Sequence, residues 1–222
     1  SPSFSRIEFQ GTRITAGAGA RLKDLAQAAR RAGIGGLEFF DGIPGSLGGA
    51  LRMNAGAMGT STFARVATLR VLLPDQGIRE LNRGMVDVEY RSCRLLKQAI
   101  ALGAVLEGTE ASPESIAATM SAYNSKRWES QPSQPSAGCI FKNPRPDLPA
   151  GLLIDQLGLK GMRSGHAMVS DVHANFIVNL GGASARDVLS LVEQVRKRAR
   201  DERAIDLQIE VEILGEDTEP QP

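Results

Sequence analysis

The run Asp41-Gly42-Ile43-Pro44-Gly45-Ser46-Leu47-Gly48-Gly49-Ala50 constrains this chain more than any other stretch. Four glycines and one proline fall within eight positions, and the apolar, helix-compatible Leu51-Arg52-Met53-Asn54-Ala55-Gly56 follows. Glycine admits φ > 0 and lets a ligand approach bare amides. Consecutive N–H groups feeding a helix N-terminus favour an anion, through unpaired donors and the helix dipole. No Lys-Ser/Thr follows, so this is not a P-loop, and the glycines are not spaced as in the dinucleotide fingerprint. The chemistry leaves two readings, a phosphate or pyrophosphate cradle and a tight structural turn.

The totals narrow the class. A chain of 222 residues buries on the order of 70% of its unfolded surface and forms one domain or two. Its 42% hydrophobic and 23% charged content describe an ordinary globular protein. A net charge of +1 gives no electrostatic case for a nucleic-acid partner. No apolar run approaches the ~18 residues of a membrane span, and no secretory leader pattern opens the chain. Cys93 and Cys139 are not spaced as a metal or redox pair, which fits a reducing, cytoplasmic setting. His166 and His173 stand seven apart without metal-type partners, so no metal site is expected. The start at Ser1, without methionine, reads as a trimmed or split product.

Patterning sets the order of elements. Residues 6–16 read as a hairpin about Gln10-Gly11. Leu22, Leu25, Ala26 and Ala29 recur at helical spacing, with Gly33 placed to end that helix. A strand is expected over 66–73, turned back by Pro74-Asp75-Gln76-Gly77, and a buried strand over 99–106. A short helix or loop over 82–88 precedes Tyr90-Arg91. Ser112-Pro113-Glu114 opens a helix running to about Trp128. Five prolines make 130–149 loop-rich, a short helix over 152–157 ends at Gly158, and 176–178 reads as a strand. Ser184 and Asp187 cap a helix carrying Val188, Leu191, Val192 and Val195. Leu207, Ile209, Val211 and Ile213 alternate with polar residues as a half-buried strand. The expected division is 1–110, 111–215 and a frayed tail, 216–222.

Taken alone, the residues that could carry chemistry also have ordinary readings. Arg91 reads as a surface ion-pair partner. Glu210 falls on the polar face of its strand, between Gln208 and Glu212, as a solvated carboxylate. Cys139 reads as a small buried hydrophobe, although it follows Gly138 in a proline-bounded loop with Lys142 three residues on. Lys126 and Arg127 read as a solvated helix end. Arg196, Lys197, Arg198, Arg200 and Arg203 complement the dipole at a helix C-terminus.

Four segments in order change that weighting. GIPGSLGGALRMNAGAMG, Glu89-Tyr90-Arg91-Ser92, Ser136-Ala137-Gly138-Cys139-Ile140-Phe141-Lys142-Asn143-Pro144 and Leu207-Gln208-Ile209-Glu210-Val211 together resemble the UDP-N-acetylenolpyruvoylglucosamine reductase family. The resemblance spans Phe4 to Gly215, with no counterpart here of the family's first, Gly-Gly-Ser-Asn lobe. It implies an α+β fold, the second lobe of a two-lobed FAD-binding domain followed by a smaller α/β substrate-binding domain.

The resemblance also implies the activity: NADPH reduces FAD, and the flavin then reduces UDP-N-acetylglucosamine enolpyruvate to UDP-N-acetylmuramate. Arg91 is implied to face the enolpyruvyl carboxylate, Cys139 to stand where many relatives have a serine proton donor, and Glu210 to be the second active-site group. Gly42, Ile43, Pro44, Gly45, Ser46, Gly48 and Gly49 are implied to contact the flavin, with Asn54 as a flavin or helix-end contact. Tyr90, Arg127, Gln131, Lys142 and Asn143 are implied to face the UDP-sugar. Met58 stands where many relatives have tyrosine, and Gly59-Thr60 replaces a commoner Gly-Gly-Glu. The competing expectation is a UDP-sugar binding module that turns over only with a missing N-terminal lobe or a separate polypeptide.

Overall fold

The computed structural model describes residues 2–215 and divides into two compact units, Ser1–Arg127 and Trp128–Pro222. In the first unit, Ile7–Gln10 and Arg13–Gly17 form the hairpin expected around Gln10-Gly11. Ile100–Glu107 pairs with the second of these strands, then Val66–Leu73, then Gly77–Asn82, completing a five-stranded antiparallel sheet. The expected 99–106 strand therefore runs through the middle of the sheet. The strand at 77–82 pairs with 66–73 and is reached from it through the Pro74-Asp75-Gln76-Gly77 turn, where Gly77 takes φ +70.

One face of this sheet carries Ile14, Ala16, Leu69, Val71, Ala104 and Leu106 into the core. Helix α1 (Leu22–Arg31) closes over it with Leu22, Leu25, Ala26 and Ala29, and ends at Gly33 with φ +71. Helix α2 (Leu47–Arg52) adds Leu47, Ala50 and Leu51 from the glycine-rich run. Close approach explains Gly48: a Cβ there would lie 3.1 Å from both the Cβ and the carbonyl oxygen of Ala18.

Helix α3 (Pro113–Ser130) starts as expected, with the Ser112 hydroxyl accepting the Ser115 N–H at 3.1 Å. Ile116 and Met120 belong to the first core, so the compact units divide at 127/128, whereas the sequence placed the boundary at 110/111. The change of composition at Ser112 marks a helix start, and that helix packs backwards onto the first unit.

The second unit has its own core. Ser136–Cys139, Phe176–Asn179, Ala167–Val169 and Arg163–Ser164 form a four-stranded antiparallel sheet in that order. Helices α4 (Ala150–Gln156) and α5 (Ala185–Arg203) contribute Leu153, Ile154, Leu191, Val192 and Val195 to this core. The Ser184–Asp187 capping box that opens α5 is complete. The segment read as a strand over 207–213 is not one: it makes a single bridge, Ile209 to Phe141. Leu207, Ile209 and Val211 do pack on the core, but Ile213 is exposed. Alternation thus reported burial correctly at Leu207, Ile209 and Val211, wrongly at Ile213, and ladder pairing wrongly. The tail 216–222 lies outside the described residues. Among those described, no helix is long and apolar enough to cross a membrane.

Candidate active site

The glycine-rich run borders a groove of about 760 Å³ lined by Gly19, Arg21, Lys23, Asp24, Asp41, Arg127 and the loop 42–46. The loop is zipped to residues 18–22. Leu22 N–H donates to Gly45 O (3.1 Å), Leu47 N–H to Ala20 O (2.9 Å) and Gly48 N–H to Ala18 O (2.7 Å). Two first-turn amides of α2 are therefore engaged by protein, which is the tight structural turn. Gly45, at φ +110, faces open space, and a Cβ at Gly49 would come only to 4.0 Å from the Ser46 hydroxyl. Among the described residues, the N–H groups of Gly45, Ser46 and Gly49 have no protein acceptor. The run is thus turn on its inner edge and bare amide on its outer edge. Ile43 packs against the core and Pro44 is exposed.

The groove's far wall is fixed by side chains. Both carboxylate oxygens of Asp41 are bonded, by Gln27 Nε2 at 2.8 Å and Asn124 Nδ2 at 2.9 Å. The Arg127 guanidinium donates to Gly42 O. Gly42 is needed for that approach, since a Cβ there would meet Arg127 Cδ at 2.8 Å. Arg127 is half-buried here, in contrast to the solvated helix end it reads as alone. Arg21 and Lys23 also line the groove, and neither was singled out by sequence. Their signal was available: both are cations at the start of α1, where the dipole and the capping preference favour acids and hydroxyls.

Two short hairpins follow. Gly56–Ala57 pairs with Thr60–Ser61 across Met58-Gly59, both at positive φ (+55 and +79). Val88–Glu89 pairs with Ser92–Cys93 across Tyr90-Arg91. The 82–88 region holds a single helical turn, Arg83–Met85. Arg91 thus stands on a two-residue turn with φ +56, a region that costs a side-chain-bearing residue roughly 1–2 kcal/mol. Its Nη2 donates to Gly56 O at 3.0 Å and its guanidinium lies 4.8 Å from the centre of the exposed Tyr90 ring. The neighbouring Glu89 carboxylate pairs with Arg94 at 2.7 Å. Asn54, at φ +41, bonds at both ends of its amide, from Nδ2 to Glu89 O (3.0 Å) and at Oδ1 from Phe63 N–H (3.2 Å). Cys93 is buried in the first core, and burial pushes its thiol pKa up, as suits a structural residue.

In the second unit, Cys139 ends its strand opposite Phe176, half-buried, with a thiol outside any disulfide. Gly138 takes φ +83 within a register shift that breaks the ladder just before it. Beyond Cys139 the chain is bonded on both edges. On one edge, Lys142 N–H donates to Gln208 O (2.9 Å) and Glu210 N–H to Ile140 O (2.7 Å). Phe141 lies opposite Ile209 between those bonds, so its own N–H and C=O point to the other edge. There the buried Asn175 side chain meets both: Oδ1 accepts Phe141 N–H at 2.9 Å and Nδ2 donates to Phe141 O at 2.8 Å.

Glu210 is consequently held opposite Ile140, the residue after Cys139. It is half-buried, whereas Glu212 is exposed. Lys142 is half-buried three residues beyond Cys139, and Asn143 accepts the Ala150 N–H at 3.0 Å, capping α4 through Oδ1. Gln131 is half-buried just past α3. The first unit therefore gathers the glycine-rich loop, Asn54, Tyr90, Arg91 and Arg127. The second gathers Cys139, Lys142, Asn143 and Glu210. Asn175, which holds the second group's backbone, was not anticipated; an amide beside the apolar Phe176-Ile177-Val178 run was its signal.

Comparison with known proteins covers both units. Residues 3–82 match the FAD binding domain family. Residues 131–214 match the UDP-N-acetylenolpyruvoylglucosamine reductase, C-terminal domain family. UDP-N-acetylenolpyruvoylglucosamine reductases from Bacillus velezensis and Bacillus subtilis are 43% and 42% identical over 215 residues, each match taking 96% of this chain and 71% of the relative. The crystal structure of UDP-N-acetylenolpyruvylglucosamine reductase from Thermus caldophilus superposes with a TM-score of 0.83 at 39% identity, covering 94% of this chain and 74% of the other. With relatives this similar matched along nearly all of its length, the chain belongs to the UDP-N-acetylenolpyruvoylglucosamine reductase family.

Proposed function

We propose that this chain reduces UDP-N-acetylglucosamine enolpyruvate to UDP-N-acetylmuramate, an NADPH-dependent step of peptidoglycan synthesis that uses FAD. The observation that carries the reading is Arg91, held in an unfavourable backbone conformation with its guanidinium fixed to Gly56 O. Strained, over-determined side chains of this kind concentrate at functional sites. The groove's donor set fits a diphosphate-bearing cofactor, with bare amides at Gly45, Ser46 and Gly49 beside the cations Arg21 and Lys23. When bound, the flavin supplies the two-electron reductant for C3 of the enolpyruvyl group.

The chain's residues then have separable tasks. Arg91 pairs the substrate carboxylate with a planar, permanently charged fork and stabilises the enolate that develops on C2 and that carboxylate. The Cys139 Sγ–H gives its proton to C2 and recovers one from solvent. Glu210, as a carboxylic acid or through a donor it polarises, hydrogen-bonds the enolate. Arg127, Gln131, Lys142, Asn143 and Tyr90 bind the UDP-sugar.

The test is NADPH oxidation by the FAD-loaded chain, with product identified by mass. Arg91→Ala is expected to cut turnover at least a hundredfold, about 3 kcal/mol of lost transition-state stabilisation. Cys139→Ser retains activity, and Cys139→Ala oxidises NADPH without full product. Product formation at the parent's rate by Cys139→Ala would remove the thiol from the mechanism. Substrate binding without NADPH oxidation in the parent would favour the binding-module reading.

A further inference from the structure

Asn54 is engaged at every polar atom of its side chain. Nδ2 donates to Glu89 O at 3.0 Å, and Oδ1 accepts the N–H of Phe63, which is buried in the first core. Two residues beyond Asn54, Gly56 O accepts Arg91 Nη2 at 3.0 Å; two residues beyond Glu89 stands Arg91 itself. The two bonds run in opposite senses between segments 35 residues apart. Each segment lends one side chain to the other's backbone. Asn54 also takes φ +41, which asparagine tolerates better than most residues with a side chain.

We infer that Asn54 is a positioning residue for Arg91. By holding the 88–93 hairpin at Glu89 O, it fixes the turn that carries the guanidinium, and it acts on turnover through Arg91. This rests on the reading of Arg91 as the group facing the substrate carboxylate. Without the Asn54 bond, the Arg91–Gly56 bond carries more of the hold between the two segments. The guanidinium is then drawn further into anchoring.

Two variants separate this role from loss of fold. Asn54→Asp keeps the acceptor for Phe63 N–H and removes the donor to Glu89. Asn54→Gly keeps the positive φ without a Cβ penalty and removes both bonds. In the FAD-loaded chain, each is expected to lower kcat for enolpyruvate reduction about tenfold. Flavin bleaching by NADPH alone should stay within twofold of the parent. In an Arg91→Ala background the same substitutions should change kcat less than twofold. Equal losses in both backgrounds, or slowed bleaching by NADPH, would overturn the proposal in favour of a general structural role.

A second readout needs no turnover. The Arg91 Nε–Hε resonance should be sharp and slowly exchanging in the parent, and broadened or fast-exchanging in both Asn54 variants. An unchanged resonance overturns the inference. A parent chain that binds FAD but does not reduce the enolpyruvate counts against the functional reading alone, and the Arg91 resonance still decides the clasp.

Discussion

Arg91 in the first unit stands on a two-residue turn with φ +56, whereas Cys139 in the second ends a strand and is followed by backbone bonded on both edges. The turn is locally unfavourable and is held by side chains reaching across to other backbone, Asn54 to Glu89 and Arg91 to Gly56. The segment after Cys139 is held by backbone bonds, completed by one buried amide, Asn175. Both devices fix a side chain proposed for catalysis against a packed core, but they fail differently. Removing a brace from the turn frees a side chain. Removing one from the strand leaves buried peptide groups without partners.

The largest expected effect on stability therefore lies in the second unit. Asn175→Ala strips the Phe141 N–H and C=O of their partner at a buried position. Leaving two such groups unsatisfied, at about 1–3 kcal/mol each, costs on the order of 3 kcal/mol. Hydrogen exchange should show the loss at residues 139–142 and 207–210, with the five-stranded sheet of the first unit unaffected. Even loss of protection across both units would contradict the division into two cores.

A smaller effect tests the turn. Arg91→Gly and Arg91→Ala both lose the guanidinium, its bond to Gly56 O and its contact with Tyr90. They differ in what φ +56 costs. At an ordinary position Ala is the better residue, because Gly has more freedom to lose on folding. Here the Gly variant should be the more stable by roughly 1 kcal/mol, since Ala retains a Cβ in the left-handed region. Thermal melts of the two variants check the sign, and both should be equally deficient in turnover. An Ala variant as stable as the Gly one would mean the turn relaxes once the guanidinium is gone.

This contrast also explains what the sequence disclosed. The hairpin at Gln10-Gly11, the helix ending at Gly33, the strand expected over 99–106 and found at 100–107, and the Ser184–Asp187 box follow from local patterns, and the structure forms each. The glycine-rich loop was legible as a place where backbone is exposed, but not which edge of it is engaged. That depends on residues 18–22, brought alongside by the fold. Residues 207–213 carried the burial half of a strand pattern without a partner for more than one bridge. Asn54 and Asn175 could be noticed as amides beside apolar runs. Their roles rest on bonds to residues 35 and 34 positions away, which no local period encodes.

The smallest expected effect is a pH dependence confined to one unit. Both histidines, His166 and His173, lie in the second unit. Burial lowers the His173 pKa below its ordinary 6.5, and the nearby Lys160 lowers it further. Its Nδ1 accepts the Asn175 N–H at 3.2 Å, its ring meets Phe176 edge-on, and Gly151 passes so close that a Cβ there would lie 2.8 Å from Cε1. A proton on Nδ1 would remove that acceptor beside the amide that holds Phe141. Between the lowered folded value and 6.5, the unfolded chain binds a proton that the folded chain does not, so stability rises with pH through this window. The contribution is full above 6.5, declines as pH falls below it, and levels off once pH passes the folded value. Lowering the pH from about 7.5 to about 5.5 should therefore weaken protection at 139–142 and 175–178, after correction for intrinsic exchange, and leave the first unit's sheet unchanged. In His173→Gln that difference should shrink. An equal response in both units, or one that survives the substitution, would show that groups other than His173 govern the second unit's sensitivity to acid.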